Sequence, residues 1–277
     1  MKKNKRVAAL LTELSMNPNK IYPSKYFCSK FDIAKSSLSE DIRVADEIAR
    51  EMGRGHIETI PGVGGGIKLR PGISLEDAEA LQNDLCSKLS DPTRILGGGF
   101  LYTSDIMFDS HTVRDMALIF AHHFRDVQAD YIATVETKGI PLAEMTSLML
   151  NIPMVVVRRE PKYSEGSTVS INYFSGSYER IQKMSISKRA VKNGSSAIII
   201  DDFMRGGGSL KGLTEILSEF NIDVKGAGVA MASREPEKKK ISSYFPIIYL
   251  EDIDEEERVI KASPNPLKNW YDEEDPQ

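Results

Sequence analysis

Two aspartates stand side by side at Asp201-Asp202, followed closely by Phe203, Arg205, the run Gly206, Gly207, Gly208 and the hydroxyl of Ser209. Glycines permit positive φ and let backbone N–H groups approach an anion closely. When such a loop opens a helix, the free N–H groups and dipole of that helix favour negative charge. Ser209 adds a side-chain donor. The paired carboxylates would repel the same anion; they suit sugar hydroxyls, or a divalent cation held through water. The stretch therefore reads as a site for a phosphorylated sugar, with phosphate at the glycine end and ribose at the acidic end. The plainer alternative is a strand ended by a helix-capping Asp and a tight turn.

The elements around this stretch must hold it at one end of a sheet. Ala197 to Ile200 is short and uniformly apolar, which predicts a buried parallel strand with the aspartates at its carboxyl end, where open α/β sheets bind ligands. Upstream, the pattern predicts a helix over 112–124, a strand over 131–135, a loop over 136–139, a helix over 141–150 and a strand over 154–157. Residues 191–220 repeat the alternation and 224–231 add a further strand. Here AIIIDDFMRGGGS resembles the phosphoribosyl pyrophosphate (PRPP) signature of type I phosphoribosyltransferases. That resemblance makes Thr137, Lys138 and Gly139 the pyrophosphate loop, with a strained or cis peptide expected beside Gly139. Arg158, Arg159 and Lys162 would reach the same pyrophosphate, or form an exposed basic loop. Phe203 would stack on a base or pack in the core, and Phe100 and Tyr102 would form a hood over the pocket. Residues 165–192 alternate around Ser175-Gly176-Ser177 and predict a hairpin arm. Its position matches the family's flexible loop over PRPP, and Arg180, Lys183, Lys188 and Arg189 make it basic. The arm would touch substrate, a partner subunit or DNA, or present a solvated face.

The front of the chain has a different character. Val7, Leu10, Leu11 and Leu14 predict a first helix stopped by Asn17-Pro18-Asn19, and Ser24 is expected to cap a second helix ending near Asp32. Leu38, Ile42, Ala45, Ile48 and Met52 predict a third helix, with Ser37 and Glu40 in capping-box spacing. Two helices joined by Asp32-Ile33-Ala34 read as helix-turn-helix, with Lys35, Ser36, Ser37, Ser39 and Arg43 as phosphate and base-edge donors. Ile57 to Ile60 and Ile67 to Leu69, joined through glycines, predict a wing on which Lys68 and Arg70 would lie beside a DNA backbone. A small helical bundle with a hairpin is the simpler alternative. Pro71-Gly72 predicts the domain boundary, giving a DNA-binding domain over 1–72 and an effector-binding domain over 73–277. The leucine stripe of a helix over 74–89 serves either core or dimer interface.

Charge supports this division. The 277-residue chain carries a net charge of −4. Residues 1–70 nevertheless hold 13 Lys and Arg against 8 Asp and Glu, a local +5, whereas 251–277 hold 10 acidic residues against 3 basic ones, a local −7. A basic front on an acidic protein points to a nucleic-acid-facing module. No run approaches eighteen apolar residues, and the basic amino terminus is broken by Thr12 and Glu13, so neither a membrane span nor a secretory signal is expected. Cys28 and Cys86 lack metal or disulfide spacing and read as buried apolar groups in a reducing cytoplasm. His56, His111, His122 and His123 show no ligand spacing, so no metal site is expected. The tail from Lys261 reads as loosely packed.

Across its length, through KSSLSED, TKGIPLA, EGSTVSINYFSGS and IIDDFM, the chain resembles the purine operon repressor family of Gram-positive bacteria. The resemblance implies an α/β protein in which an N-terminal winged helix-turn-helix precedes a type I phosphoribosyltransferase fold with a mostly parallel sheet. It implies a homodimer that binds double-stranded operator DNA and represses purine genes. PRPP, alone or with Mg2+, would be an inducer bound without turnover, and guanine nucleotides such as guanosine tetraphosphate would compete for the pocket; no obligatory cofactor is implied. One departure is that Gly206-Gly207-Gly208 delays the hydroxyl that catalytic relatives place earlier. A catalytically active purine phosphoribosyltransferase with an accessory DNA-binding domain remains the alternative, and an RNA attenuator a more distant one.

Overall fold

The computed structural model describes residues 1–160, 164, 166–175 and 180–267. Lys162 and the turn at Gly176-Ser177 lie outside them, as does the side chain of Arg180. The chain divides into two compact units, Met1–Ser74 with Leu148–Asn151, and Leu75–Ser147 with Ile152–Gln277.

The first unit holds α1 (Lys3–Met16), α2 (Ser24–Phe31), α3 (Lys35–Glu51), β1 (Gly55–Ile60) and β2 (Gly66–Pro71). Asp32, at φ 53°, ends α2 in the left-handed region that short polar side chains tolerate, and the chain re-enters helix at Lys35. Leu10, Leu14, Phe27, Leu38, Ala45 and Ile67 meet in one core. Arg6 on α1 forks onto buried Asp41 on α3 through Nε and Nη2, at 2.6 and 3.0 Å. The buried face of α3 is therefore Leu38, Asp41, Ala45 and Ala49, while Ile48 and Met52 are exposed. Neither expected cap forms: Pro23 precedes α2 and Ala34 precedes α3, so Ser24 and Ser37 already lie inside their helices. β1 and β2 pair antiparallel as the wing, from Gly55 opposite Pro71 to Ile60 opposite Gly66.

The second unit opens with α4 (Leu75–Leu89), a 3-10 turn (Pro92–Arg94), the short hairpin β3 (Ile95–Gly97) and β4 (Phe100–Leu101), α5 (Ser104–Met107) and α6 (Ser110–His123). There follow β5 (Tyr131–Val135), α7 (Ile140–Leu150), β6 (Met154–Val157), the hairpin β7 (Thr168–Ser175) and β8 (Arg180–Ser187), β9 (Ser196–Met204) and α8 (Gly208–Ser218). β10 (Asp223–Ser233), β11 (Phe245–Asp254) and β12 (Val259–Pro264) complete it. The sheet order is β12-β11-β10-β9-β5-β6, parallel except for β12. From β5 the chain winds outward to β6 and returns to the other side of β5 as β9. The crevice between β5 and β9 is thus a topological switch point, where such sheets place ligands.

Two expectations change here. The tail from Lys261 is not loose as far as Leu267: β12 pairs with β11, the Gln82 amide donates to the carbonyls of Ile247 and Asn265, and Leu267 is buried. Its continuation lies outside the described residues. The arm has one buried face, with Tyr173, Met184 and Ile186 packed against α8, while Lys183, Lys188 and Arg189 are exposed. Gly212 allows that approach, because a Cβ there would lie 2.9 Å from the Tyr173 ring. Cys28 and Cys86 are half-buried rather than buried.

Candidate functional site

The ladder between β5 and β9 ends at Ala133 opposite Ile199, whereas β10 follows β9 as far as Ala232 opposite Met204. Asp201 and Asp202 lie in the stretch that β5 no longer covers. A cavity of about 370 Å³ opens there, lined by Thr137, Lys138, Arg159, Asp201, Asp202, Phe203 and Ser209 among others. The two halves of the expected site, far apart in sequence, therefore share one cavity.

At its acidic end, Asp201 is buried and its Oδ1 accepts the backbone N–H of Asp202 at 2.9 Å. Burial, together with the second carboxylate beside it, holds the Asp201 carboxyl well above the usual carboxylate range. Burial raises Asp202 too, against the pull of its hydrogen bond with Asp201 and of the Lys138 ammonium. Gly139 lies directly beneath. A Cβ on it would fall 2.6 Å from Asp201 Oδ1 and 2.7 Å from Thr134 Oγ1, so this position requires glycine for close approach rather than for its φ. Thr134 Oγ1 is buried with no hydrogen-bond partner among the described residues.

The anion end is built by two loops. Residues 136–139 contain a cis peptide between Glu136 and Thr137, not beside Gly139 as expected. The Lys138 ammonium donates to Thr103 Oγ1 at 3.2 Å, and the Arg159 N–H donates to Glu136 Oε1 at 2.8 Å. On the opposite side, Gly207 at φ 77° is the residue before α8, and Ser209 stands in the first turn of that helix facing the cavity. Backbone amides at a helix start, a lysine and an arginine suit an anion with several oxygens.

Some expected residues lie elsewhere. Tyr102 is exposed and does not line the cavity, although Phe100 does. Arg158 also stays out of the lining, its Nη1 donating to Glu136 Oε2 at 3.2 Å. Arg205 is exposed, with its guanidinium close to Gly99. Gly206, Gly207 and Gly208 shape the turn without lining the cavity. The apolar wall of Leu89, Leu101, Met231 and Leu250 was not foreseen. No motif marks these residues, and only the fold turns them toward the crevice.

In the first unit, Lys35, Ser36, Ser39 and Arg43 are exposed and Ser37 is half-buried. Ser39 Oγ donates to the Lys35 carbonyl, and Arg43 pairs with Glu47 one turn on, at 2.7 Å. On the wing, Lys68 and Arg70 both pair with Glu58 across the hairpin, Lys68 at 3.3 Å. Burial pushes the Glu58 carboxyl up, but Arg70 and then Lys68 outweigh it and hold it below the ordinary value. These cations are already engaged by the protein itself. At the wing tip Val63 is fully exposed.

Among the described residues no group of three metal-ligating side chains occurs, and no helix is long and apolar enough to cross a membrane. Residues 2–71 match the model of the bacterial purine repressor N-terminal domain, and residues 111–262 match that of the phosphoribosyl transferase domain. The purine biosynthesis transcriptional repressor PurR of Bacillus subtilis is 39% identical over 92% of this chain and 90% of its own. The purine biosynthesis transcriptional activator PurR of Lactococcus lactis is 34% identical over 92% of this chain and 94% of its own. Among solved structures, an adenine phosphoribosyltransferase from Thermoanaerobacter pseudethanolicus superposes with a TM-score of 0.51 at 18% identity, covering 60% of this chain and 98% of that one, which speaks for the fold alone. The chain belongs to the PurR family of purine biosynthesis transcriptional regulators.

Proposed function

We propose that this protein represses purine biosynthesis genes by binding operator DNA through its first unit, and that the cavity of its second unit binds PRPP without turning it over. The observation that carries the effector reading is the convergence of Lys138, Arg159 and the start of α8 on the same cavity as Asp201 and Asp202. Pyrophosphate would sit against residues 137–139 and Arg159, the 5-phosphate at Gly206–Ser209, and the ribose hydroxyls on Asp202, with Asp201 supporting it from beneath. A divalent ion, where one accompanies PRPP, would be held by the acidic pair through water. Guanine nucleotides share the phosphate and ribose chemistry and would compete for the same space. The apolar wall would cover a base, and the naming of the relatives as transcriptional regulators favours sensing over catalysis.

The test is DNA binding to purine-gene promoters with and without PRPP, together with an assay for pyrophosphate release in the presence of purine bases. Release with adenine, guanine, hypoxanthine or xanthine would move the protein to the enzyme class. The Lactococcus relative named an activator supports a second reading, in which the same DNA binding raises transcription. A promoter–reporter fusion, compared with and without this protein, separates the two by the sign of its response.

A further inference from the structure

The lysine run Lys238-Lys239-Lys240 reads as a solvated loop, yet one member is turned inward. Lys239 Nζ donates to the carbonyls of Ser233 at 2.6 Å, Arg205 at 2.7 Å and Arg234 at 3.1 Å. An ammonium has three protons, and all are used. Its acceptors sit at or just past the ends of two neighbouring parallel strands, since the ladder between β9 and β10 stops at Met204 opposite Ala232 and β10 ends at Ser233. These carbonyls lie beyond the last pair of that ladder, and one cation gathers them. Burial, helped by the nearby Arg205 and Arg234 cations, lowers the Lys239 ammonium below its ordinary value.

The same loop grips the glycine turn at two further points. The Lys240 N–H donates to the Gly206 carbonyl at 2.9 Å, and Gly207 lies so close to Lys240 and Ile241 that a Cβ on it would meet them at 3.3 to 3.5 Å. The carbonyls of Arg205 and Gly206 are thus both held by residues 239–240. A peptide whose carbonyl is held on one side presents its following N–H on the other. We propose that Lys239 is a positioning residue for the phosphate cradle: by fixing the Arg205 carbonyl it sets the amides of Gly206–Ser209 for the 5-phosphate, without touching the ligand. The proposal rests on the effector reading above.

Calorimetric titration of the full-length protein with PRPP, ribose 5-phosphate and pyrophosphate tests it. Lys239→Met is expected to weaken PRPP and ribose 5-phosphate about tenfold or more while leaving pyrophosphate, held at the other loop, within about twofold. Lys239→Arg, which keeps a multi-proton cation, should recover part of that loss. Lys238→Met removes the same charge from an exposed neighbour and should change nothing. Equal weakening of all three ligands by Lys239→Met, no weakening, or a matching loss in Lys238→Met would overturn the assignment. If the wild-type protein bound ribose 5-phosphate or PRPP not at all, the effector reading itself would fall, and this inference with it.

Discussion

Asp201 and Asp202 look equivalent as letters, but the fold separates them. Asp201 is buried, receives the N–H of its neighbour and packs against Gly139, while Asp202 is only half-buried at the cavity wall. A carboxyl whose folded value is raised contributes stability that is present at low pH and lost as pH climbs past its unfolded value of about 4. Relative to wild type, Asp201→Asn should therefore gain stability as pH rises from about 4 toward 8. Chemical denaturation of both proteins across that range checks this, and a constant difference would contradict it. Gly139→Ala should cost about 1–3 kcal/mol and abolish PRPP binding, because the new methyl would displace the Asp201 carboxylate and the Thr134 hydroxyl and press on the Asp201 backbone at 3.3 Å. Full binding by that variant would show that the contact relaxes freely.

Among elements, those with a strong local pattern were legible: the apolar strands, the helix-turn-helix, the wing and the arm each have a period or a turn that sequence alone displays. What was not legible depends on partners distant in the chain. The Ser37–Glu40 spacing suggested a capping box, yet α3 starts earlier at Lys35. The pairing of Lys68 and Arg70 with Glu58 depends on register, which sets Glu58 opposite Lys68 across the hairpin. Likewise β12 follows an acidic stretch that reads as a tail until β11 supplies its edge. Arg43 remains exposed on α3, so Arg43→Ala should weaken operator binding by about 1 kcal/mol or more, with a shallower salt dependence if the lost contact is to phosphate. Unchanged affinity and slope would remove this face of α3 from the DNA interface. On α8, Gly212→Ala pits a helix-propensity gain of about 1 kcal/mol against a methyl 2.9 Å from Tyr173 and 3.1 Å from Met184. Overpacking of about 1–3 kcal/mol should win. A rise in the denaturation midpoint would mean that the arm yields more easily than its packing indicates.

At the scale of the whole molecule, the claim is that one ligand governs another. PRPP can release DNA only if it binds the DNA-competent and DNA-incompetent states unequally, and linkage then requires DNA to lower PRPP affinity by the same factor. A coupling of roughly 1–3 kcal/mol is typical of such systems. The acidic pair offers a clean handle, since it lies in the second unit and carries none of the charges of the first. The most direct measurement is operator affinity across a PRPP titration, made on wild type and on the Asp201→Ala, Asp202→Ala double variant. Wild type should lose operator affinity as PRPP rises, while a folded double variant should bind the operator as tightly as wild type and ignore PRPP. A folded double variant that still leaves the operator at the wild-type PRPP concentration would contradict the account, because the effector would then act through some other site.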